Sequence, residues 1–189
     1  MKNFNKFLPL IILLAFVAVT SLAIIKAMSK QQLDENQISH EFSAKVLKQK
    51  IKLPEFSLPD LFDENQSFSV QNLINNEKKY SVINFFASWC GTCLAEHEVL
   101  LRMRDENFVD IYGIAWRDFG KNTISFLNKN GNPFKKTALD SQGLFTRILG
   151  IKAVPETVLV DPAGNVVLRY QGNLTDETAL QIKQFLAKQ

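Results

Sequence analysis

The two cysteines of this 189-residue chain stand together as Cys90-Gly91-Thr92-Cys93. They follow an apolar run, Tyr80 to Trp89, and open a helix-forming stretch, Leu94 to Leu101. Two thiols this close can shut only a small ring, which removes little freedom from the unfolded chain, so a purely structural crosslink is a weak motive. At a strand-to-helix junction the spacing predicts a dithiol/disulfide redox centre. A structural zinc site would need two further ligands. Only His40 and His97 offer imidazoles, neither in a familiar zinc spacing, so no metal is expected.

Charge narrows the partners. The net charge of +3 belongs to Lys2, Lys6 and Lys26, because no acidic residue precedes Asp34. Removing those three from 22 basic residues leaves 19 against 19 acidic ones. No run of Lys and Arg interleaves with aromatics, so nucleic acid is not an expected partner. The 46% apolar content is ordinary for a globular domain and supplies a core.

The amino terminus reads as a membrane segment. Leu8 to Ile25 is uncharged, and as a helix at about 1.5 Å per residue it would span roughly 27 Å, close to a bilayer core. Lys2 and Lys6 place the preceding end in the cytoplasm by the positive-inside tendency. The expected organisation is a cytoplasmic tail at 1–7, a transmembrane anchor at 8–26, a linker at 27–52 with a partly helical stalk over Ile38 to Lys50, and a redox domain at 53–189. A cleaved signal peptide is the competing reading. Either one exports the domain to an oxidising compartment.

Patterning within the domain gives an ordered set of elements. Pro54 to Asp60 alternates apolar residues between prolines, as an edge or hairpin strand does, and Phe68 to Val70 returns after the turn at Asp63-Glu64-Asn65. Val82 to Phe86 and Val109 to Trp116 are near-continuous apolar runs of the kind buried parallel strands show. Helices are predicted over Cys93 to Met103, Asn122 to Asn130 and Ser141 to Leu149, the last closed by Gly150. Thr157 to Val160 and Val166 to Tyr170 form a hairpin. Thr175 caps a final helix to Ala187, with Thr178 where a capping box would want Glu. No element is assigned between Gly131 and Ser141. The order predicts an α/β fold, a mixed sheet with helices on both faces.

Three motifs then stand together: Phe86-Ala-Ser-Trp-Cys-Gly-Thr-Cys93, Ala153-Val-Pro-Glu-Thr157 directly before a strand, and Gly172 after the last strand. Over residues 54–189 the chain resembles thioredoxin-like proteins. With Trp89 to His97, the Leu-Pro-Asp of the leading hairpin and the anchor, it is similar to the membrane-anchored thiol:disulfide interchange proteins of cytochrome c maturation, the CcmG/DsbE group. That resemblance implies a thioredoxin-like fold with an amino-terminal β-hairpin extension, and a protein disulfide reductase with no cofactor beyond the Cys90–Cys93 couple. It implies apocytochrome c, with its C-x-x-C-H segment, or a maturation factor as client. It also implies a membrane thiol donor of the DsbD/CcdA kind, and a periplasmic domain on the bacterial inner membrane. A general exported oxidant or isomerase, and a non-catalytic haem or apoprotein-binding module, are the other readings. The chain departs from the group at Gly91, where proline is usual, which bears on the redox potential.

Site residues follow. Cys90, at the helix start, is the expected attacking sulfur, because free N–H groups and the helix dipole favour its thiolate. Cys93, one turn in, is expected to resolve the mixed disulfide. The resemblance implies a cis bond between Val154 and Pro155, with the Val154 backbone free to pair with an extended client. Trp89 would shape the docking surface, and Trp116-Arg117-Asp118 ends a strand at the same sheet edge. Asn84 stands where thioredoxins carry a buried Asp, so the proton acceptor must lie elsewhere. Glu96, on the next turn from Cys93, is the first candidate and Glu156 the second. His97 is expected to be a solvated helix residue.

Overall fold

The computed structural model describes residues 17, 19–26, 45–74 and 80–189. Residues 19–26 are helical (α1). Most of the predicted anchor, 8–26, and the linker up to residue 44 lie outside the described residues. Among the described residues no helix is long and apolar enough to cross a membrane.

From residue 45 the chain runs β1 (Lys45–Lys52), β2 (Ser57–Pro59), β3 (Ser67–Ser69), α2 (Val70–Ile74), β4 (Ser81–Phe86), α3 (Gly91–Glu106), β5 (Asp110–Trp116), α4 (Gly120–Asn130), β6 (Lys136–Asp140), α5 (Leu144–Ile148), β7 (Glu156–Val160), β8 (Asn165–Gln171) and α6 (Asp176–Leu186). Six strands form one sheet in the order β1-β8-β7-β4-β5-β6. β4 runs parallel to β5 and antiparallel to β7, so the sheet is mixed, as the element order predicts. β2 and β3 pair as the separate leading hairpin. The hairpin leans on β6 through the Asp60–Ala138 bridge and a 2.8 Å bond from Leu61 N–H to the Thr137 carbonyl.

The central strand explains the layering. Every residue of β4 is buried, which requires cover on both faces. Val82 and Phe86 face Val99, Leu100 and Met103 of α3, with Leu127 of α4 and Ile182 of α6. Ile83 and Phe85 face the other way, toward Phe68 of β3, Leu73 of α2 and Phe145 of α5. At about 1.5–3 kcal/mol for each large apolar side chain removed from water, these two clusters drive the packing. The strand's alternation decides which face each polar residue meets. Asn84 shares parity with Val82 and Phe86, so it is carried into the layer beneath α3.

Three elements differ from expectation. The end of the predicted tether, Lys45 to Lys52, is not a helical stalk but a strand, paired antiparallel to β8. Residues 136–140 form β6, parallel to β5. The five residues after β3 make the short helix α2. The α6 cap forms with an unexpected partner: the Thr178 hydroxyl accepts from Thr175 N–H at 2.8 Å while Thr175 Oγ1 accepts from Thr178 N–H at 3.3 Å. A hydroxyl here serves where Glu or Gln is usual.

Candidate active site

Cys90 and Cys93 are joined as a disulfide with their Cα atoms 5.3 Å apart. Cys90 has extended backbone angles and is the N-cap of α3, its sulfur accepting from Cys93 N–H at 3.1 Å. A sulfur fills the place usually taken by a Ser or Asp oxygen. In the reduced protein the same N–H and the helix dipole stabilise a Cys90 thiolate. The Thr92 hydroxyl lies 3.2 Å from that sulfur and adds a second donor. Gly91 is exposed, and a Cβ there would meet nothing within 4 Å. The surface beside Cys90 is therefore open at this position.

Two loops flank the sulfurs. The first carries Ser88 and Trp89. Asp118, 2% exposed, accepts from Ser88 N–H at 2.6 Å, from the Ser88 hydroxyl at 2.9 Å and from Phe119 N–H at 2.8 Å. One carboxylate thus fixes the turn into Cys90 from the end of β5. Trp89 is 59% exposed, its Nε1–H donating to the Arg117 carbonyl at 3.2 Å and its ring 6.1 Å from that of Trp116. It is a surface residue at the mouth of the site. Leu94 and Phe119 are exposed beside it. The second loop brings the cis Val154–Pro155 bond up to the sulfurs. The Val154 carbonyl is 3.7 Å from Cys90 Sγ, within reach of the thiol S–H once the disulfide opens.

Beneath the sulfurs lies a buried polar chain. Cys93, Glu96 and His97 are all buried positions of α3. Glu96 is fully buried. Its Oε1 accepts from Asn84 Nδ2 at 2.8 Å and its Oε2 from Leu174 N–H at 2.7 Å. Asn84 Nδ2 also donates to Thr157 Oγ1 at 3.0 Å. Among the described residues no cation pairs with the carboxylate. Burial pushes its pKa up to about 7, with the bonds from Leu174 and Asn84 pulling the other way. Asn84 Oδ1 is buried and has no hydrogen-bond partner among the described residues. A half-turn of the amide offers that oxygen to a protonated Glu96, so the network accommodates the acid as well as the carboxylate.

Glu156 stands on the opposite side of the sheet. Its strand neighbours of like parity, Val158 and Val160, pack in the cluster of Phe145 and Phe68, while Thr157 meets Asn84 beneath α3. The Glu156 carboxylate, 2% exposed, pairs with Arg169 Nε. Burial pushes its pKa up, with Arg169 and Gln171 opposing. The structure brings Cys90, Cys93, Trp89, Val154 and Pro155 together, sets Glu96 one helical turn beyond Cys93 on the buried side of α3, and leaves the Glu156 side chain on the opposite face of the sheet.

His97 is not solvated. It is 3% exposed, its Nε2 lies 2.8 Å from the Gly131 carbonyl, and its ring stands edge-on to Phe126. The carbonyl requires the Nε2–H form, and burial pushes its pKa down. His97 thereby locks α4 against α3. Between these helices an open groove runs away from Cys90, walled by Trp89, Gly91 and Leu94 on one side and Asn122, Phe126 and Lys129 on the other. Arg169 and Thr157 carry no sequence signal of their own. Their roles arise from strand pairing. Among the described residues no group of three or more His, Cys, Asp or Glu is disposed to hold a metal ion.

The Redoxin family model matches residues 48–184. A protein named probable thiol:disulfide interchange protein DsbE-2, from Pasteurella multocida strain Pm70, is 33% identical over 93% of this chain and 84% of its own length. The thiol:disulfide interchange protein DsbE of Escherichia coli strain K12 is 30% identical over 92% of this chain and 88% of its own. Among solved structures, a DsbE-type protein from Chlorobium tepidum superposes with a TM-score of 0.62 at 23% identity, covering 75% of this chain and 97% of that one, and shares the thioredoxin-like fold.

Proposed function

The chain belongs to the Redoxin family and is a thiol:disulfide oxidoreductase of the DsbE group, and from that premise we propose that it reduces the C-x-x-C-H cysteines of apocytochrome c ahead of haem attachment. The observation that carries this reading is Glu96: a buried carboxyl poised near neutrality, one turn from the resolving sulfur, in place of the Asp that Asn84 replaces.

The steps balance as follows. In the reduced protein the Cys90 thiolate attacks one sulfur of the client disulfide, and the other client sulfur leaves as a thiolate and takes a proton. The Val154 backbone and the groove between α3 and α4 hold the client segment on either side of the attacked cysteine. Cys93 then gives its proton to the Glu96 carboxylate and attacks Cys90 Sγ, which expels the second client thiolate; that thiolate takes the proton back from Glu96, and solvent supplies the proton taken by the first. The client has gained two electrons and two protons, and the enzyme is left with the Cys90–Cys93 disulfide. A membrane thiol donor of the DsbD/CcdA kind returns the electrons. Residues 8–26 anchor the chain in the bacterial inner membrane and hold the domain in the periplasm, where client disulfides persist.

Trapping tests the client. Cys93→Ala removes the resolving sulfur, so the mixed disulfide at Cys90 accumulates in cells. The expected adduct is a polypeptide bearing C-x-x-C-H. Recovery of assorted exported proteins without one would overturn the proposal in favour of a general oxidant or isomerase.

A further inference from the structure

We propose that Arg169 is a positioning residue for client reduction: its guanidinium staples the two ends of the loop that presents Val154 to Cys90. The loop leaves α5 at Leu149 and enters β7 at Glu156. Arg169 projects from β8, where its backbone partner across the hairpin is Val158. Its Nε donates to the Glu156 carboxylate at the loop's exit. Its Nη1 and Nη2 donate to the carbonyls of Leu149 at 3.2 Å and Gly150 at 2.9 Å, at the loop's entry. One planar fork therefore closes residues 149 to 156 into a ring, a geometry that a single ammonium cannot reproduce.

Inside that ring Ile151 and Pro155 are buried and Val154 packs half-buried against the core, while Lys152 and Ala153 are exposed. Two backbone bonds assist at the margins, Ile151 N–H to the Thr146 carbonyl at 2.9 Å and Gly172 N–H to the Pro155 carbonyl at 3.0 Å. Arg169 adds polar ties that join entry to exit directly. The Val154 carbonyl, 3.7 Å from Cys90 Sγ, is thus set by a residue that touches neither sulfur nor client. The inference rests on the reading that a client backbone pairs with Val154. It assigns Glu156 a use as well: the buried carboxylate is the anchor for the staple rather than a proton acceptor.

A client held by its backbone depends on where Val154 sits, whereas a small disulfide reports only the reactivity of Cys90. A misplacement of about 1 Å costs a positioned reaction on the order of a hundredfold. The experiment uses the reduced full chain, with Arg169→Lys and Glu156→Gln beside the wild type. Second-order rates are followed with two substrates, hydroxyethyl disulfide and a peptide with an internal C-x-x-C-H disulfide. The expected result is a fall of about tenfold or more in the ratio of peptide rate to small-disulfide rate for Arg169→Lys. The loss should appear as a raised KM for the peptide, with the redox potential held near the wild-type value. Glu156→Gln, which keeps both carbonyl ties, should move the ratio in the same direction by less. An unchanged ratio, or equal losses on both substrates with a shifted potential, would overturn the proposal. A wild type that reduces the small disulfide but not the peptide would sink the client reading, and the staple with it.

Discussion

The two buried glutamates sit on opposite faces of the same pair of strands, and their surroundings differ in one respect. Beneath α3, Glu96 is met by an amide, a backbone N–H and, through Asn84, a threonine hydroxyl. Behind Pro155, Glu156 is met by a guanidinium. Burial raises both acids. Neutral donors leave Glu96 able to hold or lose its proton near neutrality. A cation opposes the rise at Glu156 without cancelling it. Both acids are deep, and the charge of their partners is what separates them.

The largest expected effect comes from breaking the charged side. Arg169→Met leaves the Glu156 carboxylate buried and unanswered, a change that costs about 3–5 kcal/mol. Denaturant midpoints measure it, and adding Glu156→Gln should restore much of the loss. A cost below about 1 kcal/mol for the single change would mean that the pair does not hold the loop.

Next is the pH response on the neutral side. The folded pKa of Glu96, about 7, lies above its ordinary value of 4.5, so the folded state keeps the proton through that interval. Stability is therefore greatest below pH 4.5 on this account and declines as pH rises to 7, by on the order of 3 kcal/mol. Glu96→Gln should flatten that slope in unfolding curves taken at pH 5 and pH 8. A slope retained in the variant would assign the titration to another group. The smallest effect belongs to Thr157→Val, which removes one acceptor from Asn84 and should cost about 1–2 kcal/mol without changing the slope.

Legibility in the sequence followed burial. Strands β4, β5, β7 and β8 are apolar runs bounded by turn residues, and the CxxC and Val-Pro-Glu-Thr segments fix which strand ends converge. The two strands that escaped notice, β1 and β6, are the two edges of the sheet. An edge strand needs little apolar surface and tolerates lysine, which guards it against pairing with other chains. Lys45-Val-Leu-Lys-Gln-Lys-Ile-Lys52 therefore reads like a tether, and Lys135-Lys136 hides the start of β6. His97 looked solvated because its burial is made by α4, through Phe126 and the Gly131 carbonyl. The contrast between Glu96 and Glu156 was also out of reach. It depends on which face each strand position meets, and on an arginine that arrives only when β8 folds back beside β7.

The sulfur of Cys90 caps α3 through the bond from Cys93 N–H, and on the proposed mechanism the same atom is the nucleophile. That sulfur is present as thiolate, as mixed disulfide and as closed disulfide, so the first turn of the helix keeps its acceptor throughout the cycle. Covalent partners can be exchanged at this atom while the scaffold beneath it stands still. On the proposed mechanism the cap therefore gives no reason for the helix to move as the sulfur changes partners.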